Sequence, residues 1–391
     1  MKDLFSAQNK FFTDIQQVSA AKQIPLIDCG DGVSLRILTE VTEEDFVRYT
    51  EAMQTEYPSL RIESIADNQF LSVQHDDGYL YAMYFPSQKE LRLFSAETGH
   101  LIPDQLAERG SYTGKKTVTQ IAPDIPTVNF GMCYIFSLGE GHFLVYDGLG
   151  SNGSDEEKLF ASLKSMTPEG EKPVIDAWIL THPHFDHIAG VHKFALRYHD
   201  DVTVRHFVMN MANPFSYPVK RWREMVDTYA KWLPELYAAF PEAKIWKVHT
   251  GQTFYVADAK VEVLYTQEEC PRDTLHPNDA SLMTRVFIAG KTLIFPADIT
   301  GEYACRLVHE LYGGYLKSDY YQLAHHAWDT DVLLFYYDID PTHMLWPLRM
   351  RDWDREHMWT FPATKVYKKE MEEGTRQFHI AMGENIILPL D

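Results

Sequence analysis

The 391-residue chain has 45% hydrophobic and 24% charged residues, the balance of an ordinary soluble globular protein and not of a disordered or fibrous one. With 56 acidic against 36 basic side chains its formal charge is −20, which repels phosphate backbones, so the expected partner is a small-molecule substrate and not a nucleic-acid polymer. Cys29, Cys133, Cys270 and Cys305 form no C-x-x-C pair, which excludes a disulfide scaffold or zinc ribbon; there is no membrane-spanning run, and Met1-Lys2-Asp3-Leu4 does not open a signal peptide, so the cytoplasm is the expected location.

Residues 1–30 read as a polar, helical lead-in. A small α+β unit is expected from Ser34 to Glu97. It begins with a strand over Ser34–Val41. Thr42 then caps a helix, with Asp45 three residues on and Phe46, Tyr49, Met53 and Tyr57 on one face. Strands follow at Phe70–Gln74, Tyr79–Phe85 and Glu90–Phe94, with turns at Asp76-Asp77-Gly78 and Pro86-Ser87. The unit holds no cluster of ligands or nucleophiles, so it reads as accessory. Gly99, Pro103, Gly110, Gly114, Pro123 and Pro126 mark a linker, which divides the chain into domains 1–126 and 127–391.

Beyond the linker strands and helices alternate. Met132–Leu138 and His142–Tyr146 form a hairpin-like pair ending in Asp147-Gly148. A helix follows over Asp155–Met166, then an apolar strand over Val174–Leu180 suited to burial on both faces. Next come a helix at Ile188–Tyr198, a strand at Val202–Met209 and one long helix at Val219–Phe240, flanked by Pro218 and Pro241. The strands Val261–Tyr265, Ser281–Ile288 and Thr292–Phe295 complete the series. An α+β fold of two face-to-face sheets with helices outside fits this order.

Three histidines and one carboxylate lie within the six positions His182-Pro183-His184-Phe185-Asp186-His187. The run starts where the Val174–Leu180 strand ends and stops where a helix begins, so rigid elements hold its ends while its side chains converge. Imidazole and carboxylate together suit Zn²⁺, and also Fe or Mn. His182 and His184 alternate and can share one metal; Asp186 and His187, past the turn, can face another. No Gly-x-Ser-x-Gly elbow offers a competing nucleophile. The other histidines, among them His192, His199, His206, His249 and His309, read as surface or packed side chains.

The run resembles the H-x-H-x-D-H signature of the metallo-β-lactamase superfamily. Asp147-Gly148 resembles that family's early strand-end Asp-Gly, Leu293-Ile294-Phe295-Pro296-Ala297-Asp298 its later strand, and Leu323-Ala324-His325-His326 the segment with its last histidine. Asn278-Asp279-Ala280-Ser281-Leu282, the Asp298 strand and the double histidine are together similar to the ComEC/Rec2-like and phosphorylcholine-esterase-like branch. The resemblance covers residues 127–391 and implies an αββα sandwich carrying two divalent metal ions, Zn first, with Mn or Fe as alternatives.

It also implies ligands position by position. The first metal would take His182 and His184, the second Asp186 and His187, and Asp298 would bridge them. His325 is preferred over His326 as the last ligand of the second site, which leaves His326 and Trp328 for substrate contact. His276 lies 22 residues before Asp298 and is the candidate third ligand of the first site; its Leu275-His276-Pro277 setting departs from the family's Gly-His-Thr, so Asn278 and Asp279 stand as substitutes. His-His-Ala-Trp in place of His-His-Gly-Ser leaves the substrate class open. The implied function is hydrolysis of a small phosphoester, a diester foremost, by a metal-activated water whose proton passes to Asp186 or Asp298. The alternatives are a carboxylic ester, lactone or amide hydrolase, and a non-catalytic sensing or scaffold protein. Oligomeric state is not legible.

Overall fold

Large apolar side chains alternate along the strands beyond residue 110, and the alternation decides what each face meets. A computed structural model describes residues 22–23, 27–28, 34–75, 78–97, 110–125, 131–150, 153–271, 273–328, 332–348 and 350–391. Of the lead-in only residues 22–23 and 27–28 are described, and they are short strands paired with Ser34–Thr39 where helix was expected; residues 98–109 and 126 of the expected linker, and Asp76 and Asp77 of the expected turn, lie outside the described residues. Among the described residues no helix is long and apolar enough to cross a membrane. The chain divides into two units, Met1–Leu101 with Glu310–Tyr312, and Ile102–His309 with Gly313–Asp391.

In the first unit an antiparallel sheet carries the helix Glu43–Glu56. Phe46, Tyr49, Met53 and Tyr57 pack on Leu38, Leu71, Leu80, Ala82, Tyr84 and Leu93 of that sheet. Thr42 and Asp45 close a capping box: the Asp45 amide donates to the Thr42 hydroxyl, and the Thr42 amide donates to the Asp45 carboxylate. The sequence reading missed the strand Arg61–Ile65, whose Arg-Ile-Glu-Ser-Ile run has only two apolar residues and lies along one edge of the sheet, where charge is tolerated. Thr42→Ala should cost about 1 kcal/mol. Hydrogen exchange at the Asp45 amide, which loses its acceptor, should then quicken more than in the rest of the helix, and unchanged exchange there would show the cap to be idle.

The second unit holds two sheets. The first contains β1 (Thr117–Gln120), β2 (Cys133–Gly139), β3 (His142–Asp147), β4 (Val174–Ile179), β5 (His206–Met209) and β6 (Lys244–Lys247). β1 to β3 pair antiparallel and β3 to β6 parallel, so β4, β5 and β6 all end at the same edge. β1 falls in the stretch expected to be linker; its short Thr-Val-Thr-Gln run carries one apolar residue, too little for a strand signal, yet it pairs with β2 and with the C-terminal strand Ile386–Pro389. The second sheet runs β7 (Thr253–Val256), β8 (Ala259–Tyr265), β9 (Met283–Ile288), β10 (Lys291–Phe295), β11 (Tyr320–Gln322), β12 (His343–Trp346) and β13 (Gln377–Ile380).

Tyr134, Phe136, Tyr146 and Ile179 of the first sheet meet Val261, Val263, Val286, Leu293 and Phe295 of the second in one core. The intervening residues Ile135, Val145 and Trp178 face outward to α1 (Asp155–Ser165) and α2 (Phe185–Tyr198), packing on Leu159, Leu163, Val191 and Phe194. Outside the second sheet, Tyr321 packs on Phe335 and Tyr336. The layers are thus helix, sheet, sheet, helix, an αββα sandwich.

Two helices differ from expectation. The single helix over 219–240 is α3 (Lys220–Ala230) and α4 (Leu233–Ala239), because Pro234 lacks an amide hydrogen and its ring obstructs the carbonyl one turn back. And α2 begins at Phe185, not Ile188, which places Asp186 and His187 in its first turn.

Candidate metal centre

The site is built where strands of both sheets end. β4 leads into Thr181-His182, β10 into Pro296-Ala297-Asp298 and β11 into Leu323 to His326. Residue 184 caps α2 with an extended backbone, so the next turn carries Asp186 and His187 back toward His182. Two glycines make the approach close. The Gly148 amide donates to the His187 carbonyl and the Gly190 amide to the Leu149 carbonyl; a Cβ on Gly190 would lie 1.9 Å from the Gly148 oxygen. Only glycine fits at that contact, and it seats Asp147 beneath His187.

Two groups of donors result. His182, His184 and Asp298 form one; Asp186, His187, Asp298 and His326 form the other, with the donor atoms of each group within 4.8 Å of one another. Asp298 belongs to both: its Oδ2 is 3.6 Å from His182 Nε2, 3.3 Å from His187 Nε2 and 3.8 Å from His326 Nε2. The second oxygen, Oδ1, is buried without a hydrogen bond, and Nε2 of His182 and of His187 makes no well-formed one. Buried polar atoms are almost always paired, so three such atoms around the Asp298 carboxylate fit the binding of a cation.

The imidazoles are fixed so that Nε2 faces inward. Asp147 does this for both groups. Its carboxylate accepts from the Thr181 amide at 2.8 Å, the Thr181 hydroxyl at 2.7 Å and His187 Nδ1 at 2.7 Å. With its proton given to Asp147, the Thr181 hydroxyl accepts from His182 Nδ1 at 3.1 Å. His326 Nδ1 donates to the Pro347 carbonyl at 2.5 Å, and its Nε2 stands 3.1 Å from Asp186 Oδ2. A hydrogen bond on one ring nitrogen leaves the lone pair on the other, which is the arrangement that metal-ligating histidines use.

Charge points the same way. Burial, and then the neighbouring His187 and His184, hold His182 neutral, well below its ordinary pKa; burial foremost brings His184 down to about 4. Burial opposes charge on His187 too, but Asp298, Asp186 and Asp147 outweigh it and raise its pKa well above the usual value. Burial likewise resists ionisation of Asp298, and His187, His326 and His182 overcome it, so the carboxyl lies well below its usual range. With His182 and His184 neutral, the carboxylates of Asp186 and Asp298 draw on the positive charge of His187, a part that a divalent cation would take over.

Five expected residues therefore come together: His182, His184, Asp186, His187 and Asp298. The double histidine is reversed. His326, not His325, joins the second group, while His325 Nε2 meets Asn278 Nδ2 at 3.1 Å. Alternation along an extended segment fails here because both residues are left-handed, with φ of 44° and 54°, in a tight turn. Trp328 lies beside His325, its ring centroid 6.4 Å away.

His276 stands outside both groups. Its Nδ1 accepts from the Asn278 amide at 3.1 Å and its ring meets Trp222 edge-on. Asp279 is also committed elsewhere, accepting from the amides of Thr300 and Gly301 just after Asp298. The sequence reading missed Thr181 and the use made of Asp147, because a residue that orients a ligand has no spacing rule of its own.

A model of the metallo-beta-lactamase superfamily matches residues 126–357. Among solved structures, a diiron beta-hydroxylase from Streptomyces venezuelae, CmlA, is similar at 13% identity and a TM-score of 0.43, over 71% of this chain and 54% of its own. This chain thus spans about half of that protein's length. A B3 metallo-beta-lactamase with an active-site glutamic acid is similar at 12% identity and a TM-score of 0.28, over 72% of this chain and 81% of that one. A mutant flavo di-iron protein from Thermotoga maritima is similar at 10% identity and a TM-score of 0.23, over 66% of this chain and 52% of that one. No curated protein matches. With more than half of its residues matched by the family model, and its strands and helices layered as above, the chain belongs to the metallo-beta-lactamase superfamily.

Proposed function

We propose that the protein is a hydrolase that holds two divalent cations and cleaves a small phosphoester, a phosphodiester foremost. One observation carries the reading: two groups of donors share Asp298, and Nε2 of His182, Nε2 of His187 and Oδ1 of Asp298 are buried without a hydrogen bond. His182, His184 and Asp298 would hold one ion; Asp186, His187, His326 and Asp298 the other. Mixed imidazole and carboxylate donors suit Zn²⁺ first, with Mn²⁺ and Fe²⁺ as alternatives. Two such ions, once bound, supply Lewis acidity that polarises a phosphoryl oxygen and acidifies nearby water.

The chain's own residues supply the rest. Asp186 or Asp298 would accept the proton of the activated water, the Oδ2 of Asp186 standing 3.1 Å from His326 Nε2. His325 and Trp328 would orient the substrate beside the ions. The phosphoester assignment draws on the Asn278–Leu282 segment and the double histidine, which resemble the esterase-like branch. A net charge of −20 disfavours a polymeric polyanion and leaves a small substrate drawn in by the cations.

The test is a panel of chromogenic phosphate monoesters, phosphate diesters and carboxylic esters, run after chelation and after reloading with Zn²⁺, Mn²⁺ or Fe²⁺. Diester turnover should vanish on chelation and return on reloading. Faster carboxylic-ester turnover would move the substrate class, and a fully loaded protein inert on every ester would favour a sensing or scaffold role. In the same assays His326→Ala should lose about one ion per chain, a ligand having been removed from the second group.

A further inference from the structure

We infer that Asn278 completes the first metal position through its side-chain oxygen, and that His325 is the positioning residue that holds the amide in place. The inference rests on the two-ion reading above and concerns the group that has only two histidines and the shared carboxylate. Asn278 is 5% exposed, and its Oδ1 is buried without a hydrogen bond. Its Nδ2 is occupied by His325 Nε2 at 3.1 Å, which fixes the direction in which the oxygen is offered. Both partners of Asn278 are near enough to the first group to be felt there: His325 acts electrostatically on His182, and His276, whose Nδ1 accepts from the Asn278 backbone amide, acts on His184.

The backbone ties this turn to the bridging residue as well. The Ser281 amide donates to the Asn278 carbonyl, and the Ser281 hydroxyl accepts from the Asp298 amide at 3.2 Å. The other candidates for the place are spoken for, His276 by Asn278 and Trp222, and Asp279 by Thr300 and Gly301.

An amide oxygen is a hard, neutral donor, better matched to Mn²⁺ or Mg²⁺ than a third imidazole would be. The two positions are then unequal. The second has two imidazoles and two carboxylates, whereas the first has two imidazoles, an amide oxygen and a share of Asp298. The second should fill first and more tightly, and the first should be the exchangeable one. The double histidine thereby acquires two distinct tasks, His326 facing the second ion and His325 steering a ligand of the first.

The experiment is titration of the chelated full-length protein with Zn²⁺ and with Co²⁺, read by calorimetry and by the visible absorption of bound Co²⁺, independently of turnover. Wild type should bind two ions in two phases. Asn278→Ala should leave the tight phase intact and weaken the other at least about tenfold, with a changed Co²⁺ spectrum; His325→Ala should weaken that phase about 10- to 100-fold, the range seen when the partner of a ligand is removed. Asn278→Asp, which keeps an oxygen donor, should retain both ions. Retention of the tight phase shows that the variants are folded. If Asn278→Ala binds both ions with wild-type affinity and spectrum, Asn278 is not a donor and the two-ion reading stands. If wild type itself binds fewer than two ions, that reading fails first.

Discussion

Replacing Asp298 with alanine should lower hydrolysis by at least about 10³-fold, some 4 kcal/mol of barrier, and bring the metal content below one ion per chain. No other side chain belongs to both donor groups. Its loss removes the only carboxylate of the first group and one of the two in the second, and leaves His187 with fewer negative neighbours. A histidine change in the first group should be milder, since Asp298 and the second ion stay in place. Asp298→Asn separates charge from geometry: it keeps an oxygen at the shared position but cannot balance two cations, so it should hold one ion and retain only slight activity. Elemental analysis of the reloaded variants, beside kcat on the best substrate of the panel, checks this. Wild-type metal content in Asp298→Ala would move the bridge to another residue.

Much of this site was legible in the sequence, because metal chemistry imposes residue types and spacing. Four candidate ligands at a strand-to-helix junction and an aspartate closing a later strand require no knowledge of the packing. The limits were physical. His325 and His326 were told apart by an alternation that holds only for extended backbone, and this turn is left-handed at both. Asn278 carries no ligand signature, since amides occupy turns throughout proteins; burial and an unpaired oxygen set it apart, and both require the fold. The fold shows the same division. The long apolar strands β4 and β10 and the Thr42 capping box announce themselves through pattern. Pro234 inside the expected 219–240 helix marks the break between α3 and α4, and β1 was hidden because a strand of four residues with one apolar side chain gains its place from its neighbours on both sides.

Asp147→Ala should be among the most destabilising single changes in the second unit, although Asp147 belongs to neither donor group. Its carboxylate is buried and takes three hydrogen bonds, two from Thr181 and one from His187. Truncation strands all three donors in the interior and leaves the charge on His187 with less compensation; breaking a buried pair in this way costs about 3–5 kcal/mol. Metal affinity should fall as well, by about 10- to 100-fold, because His187 and, through Thr181, His182 lose the contact that aims Nε2 inward. Asp147→Asn separates the two effects. An amide can still accept from Thr181, so most of the stability should remain, but its NH₂ group facing His187 Nδ1 favours the tautomer protonated on Nε2. The nitrogen that should face the second ion then carries a hydrogen. Thermal unfolding of the metal-free proteins should therefore rank wild type and Asp147→Asn close together, with Asp147→Ala well below. Zinc titration should group the two variants instead, both weakened at the second ion. Wild-type zinc affinity in Asp147→Asn would show that His187 is held inward by its packing alone, and that the hydrogen bond to Asp147 serves only the stability of the fold.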